Sequence, residues 1–257
     1  PALVSAMTEV ISHRGPDGAG LWSDNGIALG HRRLSIIDLS AAAAQPMHTP
    51  DGRYVLTYNG EIYNHIKIRE SLSYPWRTSG DGEAILASHF HSIPSPSVMP
   101  EPVSGQKRGW FRITSGVNQA LRHVEWVKRL NGMWSFALWD PRCRELILCR
   151  DEMGIKPLIK WQSDNGSLLF ASETKAFRGH PEYSPRLDTQ ALFARLAFEY
   201  SLDDTSLFSG VSQVRPGTIE TWSLDNNGRA VLTGVADYSQ IKNSPLKDWS
   251  PSDAPQL

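Results

Sequence analysis

The stretch that most constrains this chain is Val55-Leu56-Thr57-Tyr58-Asn59-Gly60-Glu61-Ile62-Tyr63-Asn64, an apolar run that stops abruptly on polar residues. Such a run reads as a buried strand, and Asn59-Gly60 is a pair suited to positive φ and to exposed backbone N–H groups. On this dipeptide alone a plain hairpin turn is the simpler reading. A strand end that presents amide donors is also a place to hold an anion, so the rest of the chain decides between the two.

Hydrophobic periodicity predicts a helix over 2–11, short strands over 19–23 and 26–31, and helices over 65–72 and from Asp81 through Phe90. Four prolines between Pro94 and Pro102 exclude a regular element there, so 92–117 reads as a loop, a disordered insert or sequence foreign to the mature protein. A helix is expected from Asn118 to Leu130. Strand pairs follow at 133–139 with 145–149, 157–162 with 168–172 around Asp164-Asn165-Gly166, and 218–224 with 229–233 around Asn226-Asn227-Gly228. An amphipathic helix capped by Asp188 is predicted over 188–198, and the chain beyond about 235 reads as linker or tail. Strands in hairpins with helices in groups argue α+β, with antiparallel sheets covered by helices.

Composition excludes several classes of function. The formal charge of -1 gives no electrostatic reason to expect nucleic acid or an anionic membrane as partner. No apolar run approaches the roughly 18 residues of a membrane span, and no signal-peptide pattern opens the chain, so a cytoplasmic protein without membrane attachment is expected. Cys143 and Cys149 are too few for a disulfide framework, and no His/Cys spacing resembles a metal site. No phosphate-binding glycine loop is present, so no ATP site is expected in these residues.

Four polar clusters stand at strand ends: Arg32-Arg33, Asn59-Gly60-Glu61, Asp81-Gly82-Glu83 and Arg150-Asp151. Each alone fits a solvated surface or a structural ion pair. Together they form a set complementary to a free amino acid. Arginine would take the α-carboxylate, carboxylates the α-ammonium, and Asn-Gly an oxyanion.

The combination resembles a known family. His13-Arg14-Gly15-Pro16-Asp17-Gly18, Gly30-His31-Arg32-Arg33-Leu34-Ser35-Ile36-Ile37-Asp38, Gln45-Pro46-Met47, Asn59-Gly60-Glu61-Ile62-Tyr63-Asn64 and Leu130-Asn131-Gly132-Met133 are similar, in order, to the glutaminase domain of glutamine-hydrolysing asparagine synthetases. Arg150-Asp151 with Gly154-Ile155-Lys156-Pro157-Leu158, Ala171-Ser172-Glu173 and Arg215-Pro216-Gly217 continue the match. The resemblance implies a class II glutamine amidotransferase domain over 1–234, apart from the insert, and a linker over 235–257 toward a synthetase domain absent from this sequence. The implied fold is that of the N-terminal-nucleophile (Ntn) hydrolases, an αββα sandwich of two mostly antiparallel sheets, here N-terminally truncated.

The resemblance also implies roles. Arg33 would bind the α-carboxylate of glutamine, Asn59 and Gly60 would form the oxyanion hole, Glu61 and Asp81 would hold the α-ammonium, and Leu34, Ile36 and Ile37 would line the pocket. ATP and Mg²⁺ would serve the synthetase domain, with no cofactor in this chain, and a homodimer is one assembly the family allows. The family's nucleophile is an N-terminal cysteine on a strand ahead of the first helix, whereas this chain begins with Pro1 at about that helix, as a fragment or processed product would. The expectation is therefore a domain that binds glutamine without hydrolysing it, with one sheet edge left unpaired. Two other readings stand beside it: a non-catalytic glutamine- or partner-binding module, and the glutaminase half of another class II amidotransferase.

Overall fold

The structure is a computed structural model that describes residues 1–92, 118–199 and 204–239. The predicted insert, apart from Ser92, and the tail beyond 239 lie outside the described residues. In chain order the elements are α1 (Ala2–Val10), β1 (Gly18–Asp24), β2 (Ile27–Arg33), β3 (Met47–His48), β4 (Val55–Ile62), α2 (His65–Ser71) and α3 (Gly82–Ser92). Then come α4 (Val124–Val127), β5 (Gly132–Asp140), β6 (Glu145–Arg150), β7 (Ile159–Gln162), β8 (Leu168–Ala171), α5 (Thr189–Phe198), β9 (Val211–Gln213), β10 (Thr218–Leu224) and β11 (Ala230–Asp237).

One sheet has the order β11-β10-β6-β5-β4-β3, and two smaller sheets, β1-β2 and β8-β7-β9, complete the described strands. Every strand pairing is antiparallel. Three apolar clusters show how the layers stack. Leu56, Tyr58 and Phe136 pack beneath Ile85, Leu86 and Trp126 of the α3 and α4 layer. On the opposite face, Val55, Ala137, Trp139 and Leu148 meet Leu29 of β2 and Phe170 of β8. Beyond the small sheets, Met7 of α1 packs with Ile159, Leu169 and Phe177. The order helix, sheet, sheet, helix is the αββα sandwich that the family resemblance implies.

Three local readings change. Residues 118–130 form a 3₁₀ turn, Gln119–His123, and then the short α4, in place of one helix. The Asn118 side chain accepts from Ala120 N and caps the tight turn. The last strand runs on to Asp237, and Tyr238 is buried with its hydroxyl donating to the Arg150 carbonyl. In α5 the Asp188 cap forms as predicted, accepting from Ala191 N, but Phe193 and Leu196 are exposed.

The helical layer also buries an uncharged histidine. His89 of α3 lies edge-on to Tyr54 and Trp126, and neither ring nitrogen has a hydrogen-bond partner among the described residues. Burial, together with nearby His123, Arg122, Arg142 and Arg53, holds its pKa well below the ordinary value of 6.5. His31 is likewise lowered, to about 4, by burial and then by Arg33. Both stay neutral in the folded chain, and only the unfolded chain takes up protons as pH falls below 6.5. Stability is therefore expected to decline as pH drops from 6.5 toward 4. Urea midpoints measured across that window should fall less steeply for His89→Leu than for the parent chain, and equal slopes would contradict this account.

Candidate active site between the sheets

The β4 ladder does not end at Asn59-Gly60. It continues through Glu61 to Ile62, which pairs with Gly132 of β5. The turn reading is thereby corrected: the two residues lie within a strand. Glycine is needed because the backbones come so close. A Cβ on Gly60 would sit 2.2 Å from the Met133 carbonyl oxygen, and one on Gly132 would sit 2.0 Å from that of Glu61.

Strand alternation then sorts the neighbours. Leu56, Tyr58 and Ile62 are buried under the helices, while Val55, Thr57, Asn59 and Glu61 alternate with them on the face toward the small sheets. Backbone groups alternate too, so those of Leu56, Tyr58, Gly60 and Ile62 point to the edge away from β5. Leu56 pairs there with Met47. Tyr58 N and O are clasped by the Gln45 side chain at 2.6 and 3.1 Å, and Ile62 N donates to Asp81 Oδ2 at 2.8 Å. Among the described residues, Gly60 N–H is the gap in this row. Beside it, Asn59 Nδ2 is a buried donor with no partner among the described residues. Two spare donors on consecutive residues suit an oxyanion.

A cavity of about 770 Å³ opens between the sheets. All eight predicted residues line it: Arg33, Leu34, Ile36, Ile37, Asn59, Gly60, Glu61 and Asp81. Arg33 and Arg32 part company by the same alternation. Arg32 pairs with Glu9 of α1 and donates to the Thr8 carbonyl. Arg33 donates to the carbonyls of Ser40, at 2.9 Å, and Asp38, and makes no ion pair among the described residues. The nearby Asp38 carboxylate is turned to Ser40 and Ser79, whose hydrogen bonds hold its pKa well below the usual range. The Arg33 guanidinium is therefore fixed in place with its charge unmatched.

Asp81 is partly committed, because the oxygen that accepts from Ile62 also accepts from Tyr58 Oη at 2.7 Å. Its other oxygen accepts no hydrogen bond among the described residues. Glu61 is exposed at the rim, and Leu34, Ile36 and Ile37 form an exposed apolar lip. The Arg150-Asp151 cluster is structural. Asp151 accepts from Trp134, Met153, Ile155 and Lys156 N–H groups, and Arg150 donates to the carbonyls of Gly154, Lys156 and Val214. Between them they build the turn that brings Lys156 to the cavity wall. His31, Thr57, Ser135 and Lys156 are lining residues that the sequence reading did not select. For His31 and Thr57 a signal existed, since each stands two positions before a selected residue on the same strand face.

Neither cysteine lines the cavity. Burial pushes the Cys143 thiol up to about 11 and Cys149 up to about 12, so neither offers a thiolate. Every residue of β2 and of β8 lines the cavity, and among the described residues each of these strands pairs on one side only. Two strand edges without a partner among the described residues thus face one space.

Comparison with known proteins now places the chain. The solved structure of a glutamine phosphoribosylpyrophosphate amidotransferase from Bacillus subtilis aligns with a TM-score of 0.59 over 93% of this chain and 47% of that one. Identity is 17%, so the likeness concerns the fold, which is that of an Ntn hydrolase. The sequence comparisons are narrower. The glutamine amidotransferase domain family matches residues 1–93 and 120–231. "Asparagine synthetase [glutamine-hydrolyzing] 3" of Bacillus subtilis is 28% identical over 228 residues, covering 85% of this chain and 31% of the relative. The protein of the same name from Arabidopsis thaliana is 37% identical over 172 residues, covering 66% of this chain and 24% of that protein. The chain belongs to the class II glutamine amidotransferase domain family and is related to the asparagine synthetases. It spans about a third or less of the length of these curated relatives.

The close approach at Gly60 gives a direct test. Gly60→Ala is expected to cost about 2–3 kcal/mol through overpacking against Met133. Gly52→Ala, where a Cβ meets nothing within 4 Å, should cost less. Urea unfolding of both variants checks the ranking, and equal losses would contradict the geometry.

Proposed function

We propose that this chain is the glutaminase half of a glutamine-dependent asparagine synthetase, and that its cavity binds free glutamine. One observation carries the reading: a fixed, unpaired guanidinium on β2 and two spare donors on β4 share a cavity. Arg33 would take the α-carboxylate. Asp81 and Glu61 would accept from the α-ammonium, and Asn59 Nδ2 and Gly60 N–H would receive the side-chain carbonyl oxygen.

Hydrolysis needs a nucleophile that neither cysteine supplies. A cysteine at the head of an extended strand laid between the free edges of β2 and β8 would complete both small sheets and reach the cavity. Its thiolate would attack the amide carbon, and the carbonyl oxygen would become an anion held by Asn59 and Gly60. The C–N bond would break with release of ammonia, leaving a thioester for water to open. Amidation of aspartate, with ATP and Mg²⁺, is assigned to the part of such synthetases that this chain does not span.

The chain of 257 residues is expected to bind glutamine and release no ammonia. Arg33→Ala should weaken calorimetric binding by about 1.5–3 kcal/mol, as loss of a hydrogen-bonded charge partner does. Adding a Cys-first strand ahead of Pro1 should bring ammonia release, and Asn59→Ala in that longer chain should lower turnover about 10²- to 10³-fold. Unchanged affinity in Arg33→Ala would reject the carboxylate clamp.

A further inference from the structure

Between the arginine of β2 and the spare donors of β4 the two strands are joined by one polar contact that the proposed function leaves unused. His31 Nδ1 lies 3.2 Å from Thr57 Oγ1, and Thr57 Oγ1 lies 3.5 Å from the Gly30 carbonyl oxygen. The carbonyl can only accept, so Thr57 donates to it and accepts from His31. This places the imidazole proton on Nδ1 and leaves Nε2 with a free lone pair. Nε2 makes no hydrogen bond with the described residues and is not among the buried unpartnered atoms, so it reaches open space in the cavity that His31 lines. His31 and Arg33 share one face of β2, and Thr57 and Asn59 share one face of β4. The His31–Thr57 pair therefore lies beside Arg33 and Asn59 on the wall of the same cavity.

We propose that His31 is a specificity-determining residue of this pocket, its Nε2 accepting a hydrogen bond from the substrate's side-chain amide and so selecting glutamine over glutamate. The inference rests on the glutamine reading of the Arg33–Asn59 site. A carboxamide whose oxygen sits at Asn59 and Gly60 has an NH₂ group left to donate. The carboxylate of glutamate has none, and its second oxygen would face a lone pair. Thr57 prevents the simple escape, a change of tautomer that would turn Nε2 into a donor. Sites built around such a hydrogen bond reject the analogue lacking it, because a polar group is left unmatched.

The test is calorimetry of the 257-residue chain with glutamine and with glutamate, so that no turnover intervenes. His31→Leu is expected to weaken glutamine about tenfold without weakening glutamate, so that the preference falls at least about tenfold. Thr57→Val, which frees the tautomer, should lower the preference several-fold while His31 stays in place. His31→Gln, which keeps an acceptor oxygen, should retain most of it. A purely structural role would move thermal midpoints without moving the glutamine-to-glutamate ratio. If His31→Leu fails to fold, Thr57→Val and His31→Gln decide the matter. An unchanged ratio in the folded Leu and Val variants overturns the proposal while Arg33-dependent binding persists. Absence of glutamine binding by the parent chain overturns the pocket reading itself, and this inference with it.

Discussion

The site depends on how the free edge of β4 is closed. An edge strand presents a row of unpaired N–H and C=O groups that must find partners. Here the row is filled piecemeal, by Met47 at Leu56, by the Gln45 amide at Tyr58 and by the Asp81 carboxylate at Ile62. Between these two clasps Gly60 N–H has no partner among the described residues. The same Asp81 oxygen accepts from Tyr58 on the helical side, so one carboxylate ties the site strand to the start of α3. The chemistry proposed for Asn59 and Gly60 follows from this arrangement, since a donor already bonded to a strand would be useless to a ligand.

Much of this was legible in the sequence because strand alternation and turn residues leave local marks. Apolar runs bounded by Asn-Gly or Asp-Pro located β5, β6, β7, β8 and β10 within a few residues. The plain turn that Asn59-Gly60 suggests in isolation does not form: the pair lies within β4, where Gly60 takes φ 158° and leaves room for Met133 across the ladder, a non-local demand that no window of sequence contains. The helix expected over 118–130 failed for a similar reason. Asn118 caps a 3₁₀ turn and donates its amide to the Val235 carbonyl, a partner more than a hundred residues away.

The candidate site was legible as residue types and illegible as allegiances. Arg32-Arg33 and Arg150-Asp151 looked alike in the sequence. In the structure Arg33 lines the cavity with no ion pair among the described residues, Arg32 turns to Glu9, and Arg150 and Asp151 direct their hydrogen bonds to one turn. His31 went unselected although it stands two positions before Arg33 on the same strand face, because that alternation marks a shared face and not a role. Only its contact with Thr57, across two sheets, gives it a defined free nitrogen.

The central claim is that one cavity wall reads both ends of free glutamine, the α-carboxylate at Arg33 and the side-chain carbonyl at Asn59 and Gly60. A crystal structure of the chain with glutamine tests it most directly. The account predicts a bidentate carboxylate at the Arg33 guanidinium and the side-chain carbonyl oxygen about 2.7–3.1 Å from both Asn59 Nδ2 and Gly60 N. Glutamine bound in the reverse orientation, or bound away from β4, would contradict it.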